Sequence, residues 1–124
     1  MSKTALICDD DRMLSRITKL VLLQRGFTVI EASDGEAGLA LIKSERPALV
    51  LLDLNMPKMD GAEVLKALQA DAYTGSYIIV FSADDKAAIE AHIAGLGAGE
   101  AMVKPFVPAE LSRRIEALVR GGQV

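Results

Sequence analysis

Residues 49–52 form an unbroken apolar run that stops at Asp53 and passes into a turn carrying Pro57 and Gly61. The stretch LVLLDLNMPKMDG therefore reads as a buried strand that brings one carboxylate to a loop. A strand this apolar needs cover on both faces, which restricts the folds open to the chain. The rest of the sequence repeats the same alternation. A first strand is expected over residues 4–8, ending at Asp9, Asp10 and Asp11. A helix follows from Arg12, with Leu14, Ile17 and Val21 at helical spacing, Asp11 as N-cap and Gly26 as C-cap. Residues 27–32 read as a second strand, and Asp34 caps a helix through Ala37, Leu41 and Ile42 that must stop before Pro47. The third strand is 48–53.

Asp60 caps a third helix whose inward stripe is Val64, Leu65 and Leu68. Residues 78–81 form strand 4, ending at Ser82, and Asp84 or Asp85 caps a helix carrying Ile89 and Ile93. That helix gives way to Gly95, Gly97 and Gly99, a short strand at 101–103, then Lys104 and Pro105. Pro108 opens a fifth helix that ends near Gly121, and the GGQV tail is expected to fray. Five strands alternating with five helices give a three-layer α/β domain with a parallel sheet.

The 124 residues suit one core, so residues 1–124 are expected to form a single domain. A net charge of −3 and scattered Lys and Arg leave no basic footprint for direct nucleic-acid binding. The lone Cys8 lies inside an apolar run; it rules out an intrachain disulfide and reads as a core residue in a reducing, cytoplasmic setting. No run approaches the roughly 18 apolar residues of a membrane span. The opening MSKTALIC also lacks a signal peptide's apolar region.

Every strand but the second hands over to a residue with chemistry: Asp9 and Asp10, Asp53, Ser82 and Lys104. In open α/β sheets ligands bind beyond the carboxyl ends of the strands, and in the flavodoxin-like order 2-1-3-4-5 the switch point lies between strands 1 and 3. Three carboxylates gathered there repel, at roughly 4 kcal/mol for two like charges 4 Å apart at an effective dielectric of about 20. A hard divalent cation is implied, and all-oxygen ligands with open positions suit Mg²⁺ holding a phosphate. Ser82 and Lys104 would bind phosphoryl oxygens while Asp53 acts as nucleophile. Taken singly, Ser82 is a turn residue, Lys104 a solvated lysine, His92 a surface residue, and Asp11 and Asp60 are caps; the joint placement is what carries the reading. Leu20 and Leu23 widen the apolar stripe of helix 1 and are taken as extra core, with a docking patch as the alternative.

The motifs CDDD, LLDLNMPKMDG, FSAD and MVKPF, in this order and spacing, resemble the receiver domain of bacterial two-component response regulators across essentially the whole chain. The resemblance implies that Asp53 accepts a phosphoryl group from a histidine kinase or a histidine phosphotransfer protein. It also implies that Asp10, Asp53 and the backbone carbonyl of Asn55 ligate Mg²⁺, with Asp9 acting through water. Ser82 and Lys104 take the places of the phosphoryl-following hydroxyl and the phosphate-pairing lysine, the latter with a cis bond to Pro105. Partner control is implied for the face made by helix 4, strand 5 and helix 5. The chain is expected to be a stand-alone receiver, monomeric or weakly dimeric. One departure stands out: Ala101 occupies the position where receivers commonly carry an aromatic switch residue. Signalling is expected to pass instead through backbone shifts in the Gly-rich segment after helix 4.

Two other classes use parts of this pattern. A haloacid-dehalogenase-type phosphohydrolase also has a strand-end aspartyl nucleophile with Mg²⁺, but wants a general-acid aspartate where Asn55 stands. An interaction module without phosphoryl chemistry has no need of Asp9, Asp10, Asp53, Ser82 and Lys104 together.

Overall fold

The computed structural model describes residues 3–124. Five strands, β1 (Thr4–Cys8), β2 (Thr28–Ala32), β3 (Leu49–Asp53), β4 (Tyr77–Ser82) and β5 (Glu100–Val103), alternate with five helices. These are α1 (Arg12–Gln24), α2 (Gly35–Glu45), α3 (Gly61–Ala70), α4 (Lys86–Ile93) and α5 (Pro108–Arg120). The strands pair in parallel in the order β2-β1-β3-β4-β5, the doubly wound α/β arrangement expected from the alternation.

Side chains alternate along each strand, so the sheet separates two cores. Leu6, Cys8, Val50, Leu52, Ile78, Val80 and Ala101 pack with α2, α3 and α4 on one face. Ala5, Ile7, Leu49, Leu51, Ile79 and Phe81 pack with α1 and α5 on the other. This parity positions the site. Asp9 and Asp53 continue the second set by one step at the carboxyl ends of β1 and β3, while Ser82 continues the first set on β4. Both carboxylates are buried, as is Ser82.

The N-caps fall where the sequence puts them, while α1 ends with Arg25 as C-cap and Gly26 after it at φ 86°. Asp11, Asp34 and Asp85 each accept a backbone N–H three residues on, and Asp60 forms a capping box with Glu63. Buried Cys8 packs against Gly38, and its thiol is pushed up to about 12, first by burial and then by the charges of Asp34, Asp9 and Asp53. It is a free, buried thiol of the core.

The expectation for the outer part of α1 needs correction. The residues buried along this helix are Ser15, Thr18, Val21 and Leu22. Leu20 and Leu23 are not extra core but 57% and 47% exposed, alongside Ile17 at 37% and Met13 at 75%. The reason is local. The Thr18 hydroxyl satisfies itself on the Leu14 carbonyl at 2.8 Å, so a polar residue faces the core at little cost and polarity fails to mark the outer side.

The GGQV tail does not fray in this structure. Gly122 takes a left-handed φ of 78°, Gln123 N–H donates to Leu118 O at 3.0 Å and Gly122 N–H to Val119 O at 3.2 Å. This pairing turns the chain back, and Val124 is buried with Leu118 in the α1/α5 core.

The same turn closes α3, where Ala72 N–H meets Gln69 O and Tyr73 N–H meets Leu68 O, but here the left-handed residue is an alanine with φ 53°. An L-residue pays ~1 kcal/mol in that region. Ala72→Gly is expected to stabilise the fold by ~0.5 kcal/mol once the extra freedom of glycine in the unfolded chain is subtracted. A higher urea midpoint at unchanged slope is the readout.

Candidate functional site

The carboxyl ends of β1 and β3 lie side by side, with Cys8 opposite Leu52, so the residues that follow them, Asp9 and Asp53, sit together at the sheet's rim. A carboxylate oxygen from each of Asp9, Asp10 and Asp53 can be chosen so that all three lie within 4.8 Å of one another. Asp9 and Asp53 are buried, whereas Asp10 is exposed at the mouth. Local backbone bonds hold two of them in place: Asp11 N–H donates to Asp9 Oδ1 at 2.9 Å, and Asn55 N–H to Asp53 Oδ1 at 3.0 Å. Asp9 thus has a structural duty that its position in the sequence did not reveal.

Lys104, from the end of β5, closes the site. Its ammonium lies 3.1 Å from Asp9 Oδ2 and 3.2 Å from Asp53 Oδ2, with only 17% of the side chain exposed. The loop that delivers it carries a cis Lys104–Pro105 bond and is anchored by Lys104 N–H on Ser82 O at 2.7 Å and by Phe106 packed against Phe81, with ring centroids 5.0 Å apart and planes tilted by 35°. Burial works against the charged ammonium, but the two carboxylates outweigh it and raise the Lys104 pKa. Burial also raises the pKa of Asp9; the Asp11 N–H and Lys104 oppose that rise and the Asp53 charge adds to it.

Ser82 reaches the site from the other parity. Its hydroxyl donates to Asp84 Oδ2 at 3.3 Å and accepts Asp84 N–H at 3.2 Å. In this conformation, then, the hydroxyl is engaged by Asp84. Asn55 lies exposed at the rim beside Asp53, and His92 is exposed on α4 and is not part of the acid cluster. Asp9, Asp10, Asp53 and Lys104 meet as anticipated.

The acid cluster fits a hard cation by its donors: all are oxygens, one carboxylate is open to solvent, and one ammonium cannot balance three carboxylates. That net negative charge has a measurable consequence. In metal-free buffer Asp10→Asn is expected to raise the melting temperature by a few degrees, because it removes ~1 kcal/mol of like-charge repulsion. Added Mg²⁺ is expected to reverse the ranking by stabilising the wild type more.

A second polar group, absent from the sequence reading, lies on the α5 side of β5. Tyr77 O–H donates to Glu100 Oε1 at 2.8 Å, and Arg114 donates to Glu100 through Nε at 2.7 Å and Nη2 at 2.5 Å. Burial would raise the Glu100 pKa, but the bonds from Arg114 and Tyr77 outweigh it and hold the carboxyl low. Tyr77 is pushed up to about 12 by burial, then by its bond to Glu100 and by that carboxylate's charge. Because the folded phenol ionises later than the usual 10.0, its contribution to stability is complete below pH 10 and is lost as pH rises through 12. In a Tyr73→Phe background the phenolate band at 295 nm should therefore appear only near pH 12. The stability gap between that protein and its Tyr77→Phe derivative should narrow over the same range.

Residues 5–116 match the family model described as the response regulator receiver domain. The alkaline phosphatase synthesis transcriptional regulatory protein PhoP of Bacillus subtilis is 35% identical over all of this chain and 51% of its own length. Response regulator MprA of Mycobacterium ulcerans is 36% identical over 97% of this chain and 51% of its own. The chain thus spans about half the length of the curated relatives it matches. Among solved structures, the chemotaxis response regulator CheY4 of Vibrio cholerae superposes with a TM-score of 0.86 at 26% identity, covering 95% of this chain and 99% of that one. A CheY-like receiver domain protein from Methanospirillum hungatei gives 0.85 at 29%, covering 98% and 96%.

Proposed function

This chain belongs to the response regulator receiver family of two-component signalling, and from that premise we propose that Asp53 is its phosphoryl acceptor. One observation carries the reading: Asp53 is a buried strand-end carboxylate with Asp9 and Asp10 in reach and the Lys104 ammonium 3.2 Å away. A carboxylate placed there has neutralising charge for the anionic group it would receive.

The donor is a phosphohistidine on a histidine kinase or a histidine phosphotransfer protein. An Asp53 carboxylate oxygen attacks phosphorus, the P–N bond breaks, the imidazole nitrogen recovers a proton and an acyl phosphate forms on Asp53. Lys104 exchanges a carboxylate partner for a phosphoryl oxygen. Ser82 leaves Asp84 and donates to another. Asp10, Asp53 and the Asn55 carbonyl, with Asp9 acting through water, would hold Mg²⁺, which would supply further neutralisation of the phosphoryl charge. Asn55 and Asp84 flank the line by which a hydrolytic water approaches, so the phosphoryl state decays by itself and does not persist for many hours after donor removal.

Within residues 1–124 the output is a change in the α4–β5–α5 face that alters binding of a protein partner in the cytoplasm, the chain acting as a monomer or weak dimer. The domain is a switch, with self-phosphorylation and its reversal as its chemistry. Incubation with acetyl phosphate and Mg²⁺ is expected to add one phosphoryl mass to the wild type and none to Asp53→Ala, and to add none without Mg²⁺. Failure to form the adduct, with no inorganic phosphate released, would overturn the reading.

A further inference from the structure

Six residues, AGLGAG at 94–99, join α4 to β5. Helix α4 ends at Ala94 with an extended ψ of 127°, and Gly95 and Gly97 both take left-handed φ values, 75° and 86°. The segment has room around it. A Cβ built on Gly95 would meet nothing within 4 Å, and one on Gly97 would meet only the Gln69 amide nitrogen at 3.8 Å. A hollow of about 220 Å³ lies between the segment, Glu90 and Ile93 of α4, and Glu100 and Ala101 of β5. Leu96 and Ala98 rest against the edge of the α4-side core. One side chain from another element bonds the turn directly: Gln69 Nε2 donates to Gly95 O at 2.6 Å.

Gln69 stands in the last turn of α3, whose first turn is seated against the acceptor strand. Gly61 N–H donates to Leu54 O at 3.1 Å, and a Cβ at Gly61 would come within 2.6 Å of Asp53 O and 2.9 Å of Leu54 Cα, so there is no slack at that end. Ala62, Val64, Leu65 and Leu68 are buried along the helix. Ten residues at ~1.5 Å each make a stiff rod of ~15 Å. It runs from the backbone of Asp53 to a glycine hinge.

We propose that α3 is a connecting rod and that the Gln69–Gly95 hydrogen bond is a latch. A change in the backbone after Asp53 shifts α3, releases Gly95, and lets the 94–99 segment rearrange beside α4 and β5. The proposal rests on the acceptor reading of Asp53 and names the residue that links it to the output face. Ala101, buried beneath α4, leaves a backbone route in place of an aromatic one. The coupling element has two states, latched and free, and both ends bias them.

The test uses amide NMR on the whole chain, wild type and Gln69→Ala, with and without beryllofluoride and Mg²⁺ as the phosphoryl mimic. Gln69 is exposed, and its truncation leaves the core intact. Without the mimic, Gln69→Ala is expected to move the Gly95, Gly97 and Gly99 signals toward their mimic-bound wild-type positions. Amide exchange at Leu96 and Gly99, whose N–H groups bond Ile93 O and Ile78 O, should quicken ~5-fold as the segment opens more often, the worth of one hydrogen bond. The phosphoryl mass gained at Asp53 should equal that of the wild type. If Gln69→Ala leaves 95–99 unmoved, or moves them away from the mimic-bound positions, the latch is overturned. The same follows if the mimic moves residues 53–55 of the wild type but not 95–99. If the mimic moves neither region and no phosphoryl adduct forms, the acceptor reading falls and takes the latch with it.

Discussion

The Lys104 ammonium between Asp9 and Asp53 is the contact on which the rest of the structure depends. Two buried carboxylates at the ends of neighbouring strands would repel each other across a medium that screens them poorly, and each would lose its water. Lys104 offsets both costs for the buried pair, and Asp10 remains outside as surplus negative charge. The site is therefore held in a state that is stable enough to fold and still short of positive charge. A divalent cation would complete the balance that these four side chains leave open.

Delivering that ammonium takes much of the architecture. Lys104 stands 95 residues from Asp9 in the chain. The two meet because β1 and β3 are adjacent at the centre of the sheet and β5 lies two strands out, on a loop fastened by Phe106 against Phe81 and by a backbone bond to Ser82. The hydrophobic pattern thus acts on the chemistry directly. Leu49 and Leu51 on one face, and Val50 and Leu52 on the other, decide which way Asp53 points.

Much of this was legible before the structure, for identifiable reasons. Strands β1 and β3, buried on both faces, read as apolar runs whose ends are marked by abrupt charge, so Asp9, Asp10 and Asp53 could be placed from the sequence; Lys104 follows the short edge strand β5, where only Ala101 is buried. Aspartate caps and the glycine after α1 follow local rules that need no tertiary knowledge. What stayed hidden was decided across the fold. The inward face of α1 was misjudged because Ser15 and Thr18 face the core while Ile17, Leu20 and Leu23 face outward. The Tyr77–Glu100–Arg114 group and the Gln69–Gly95 bond join residues 14 to 26 positions apart, and no periodicity announces them. The end of the chain looked frayed because its composition is that of a loose tail, yet a left-handed glycine folds Val124 back onto Leu118.

Side-chain parity along β1 and β3 also bears on how such a domain can change over generations. An insertion or deletion of one residue inside either strand would turn its terminal carboxylate toward the opposite helix layer, away from Lys104. The opposite rim is free of that demand: the 71–76 connection, held by Arg46 against Tyr73 and Thr74, contributes no residue to the acid cluster. Length variation in descendants of this sequence should accordingly gather on the rim away from the acids, leaving the strands themselves fixed in count.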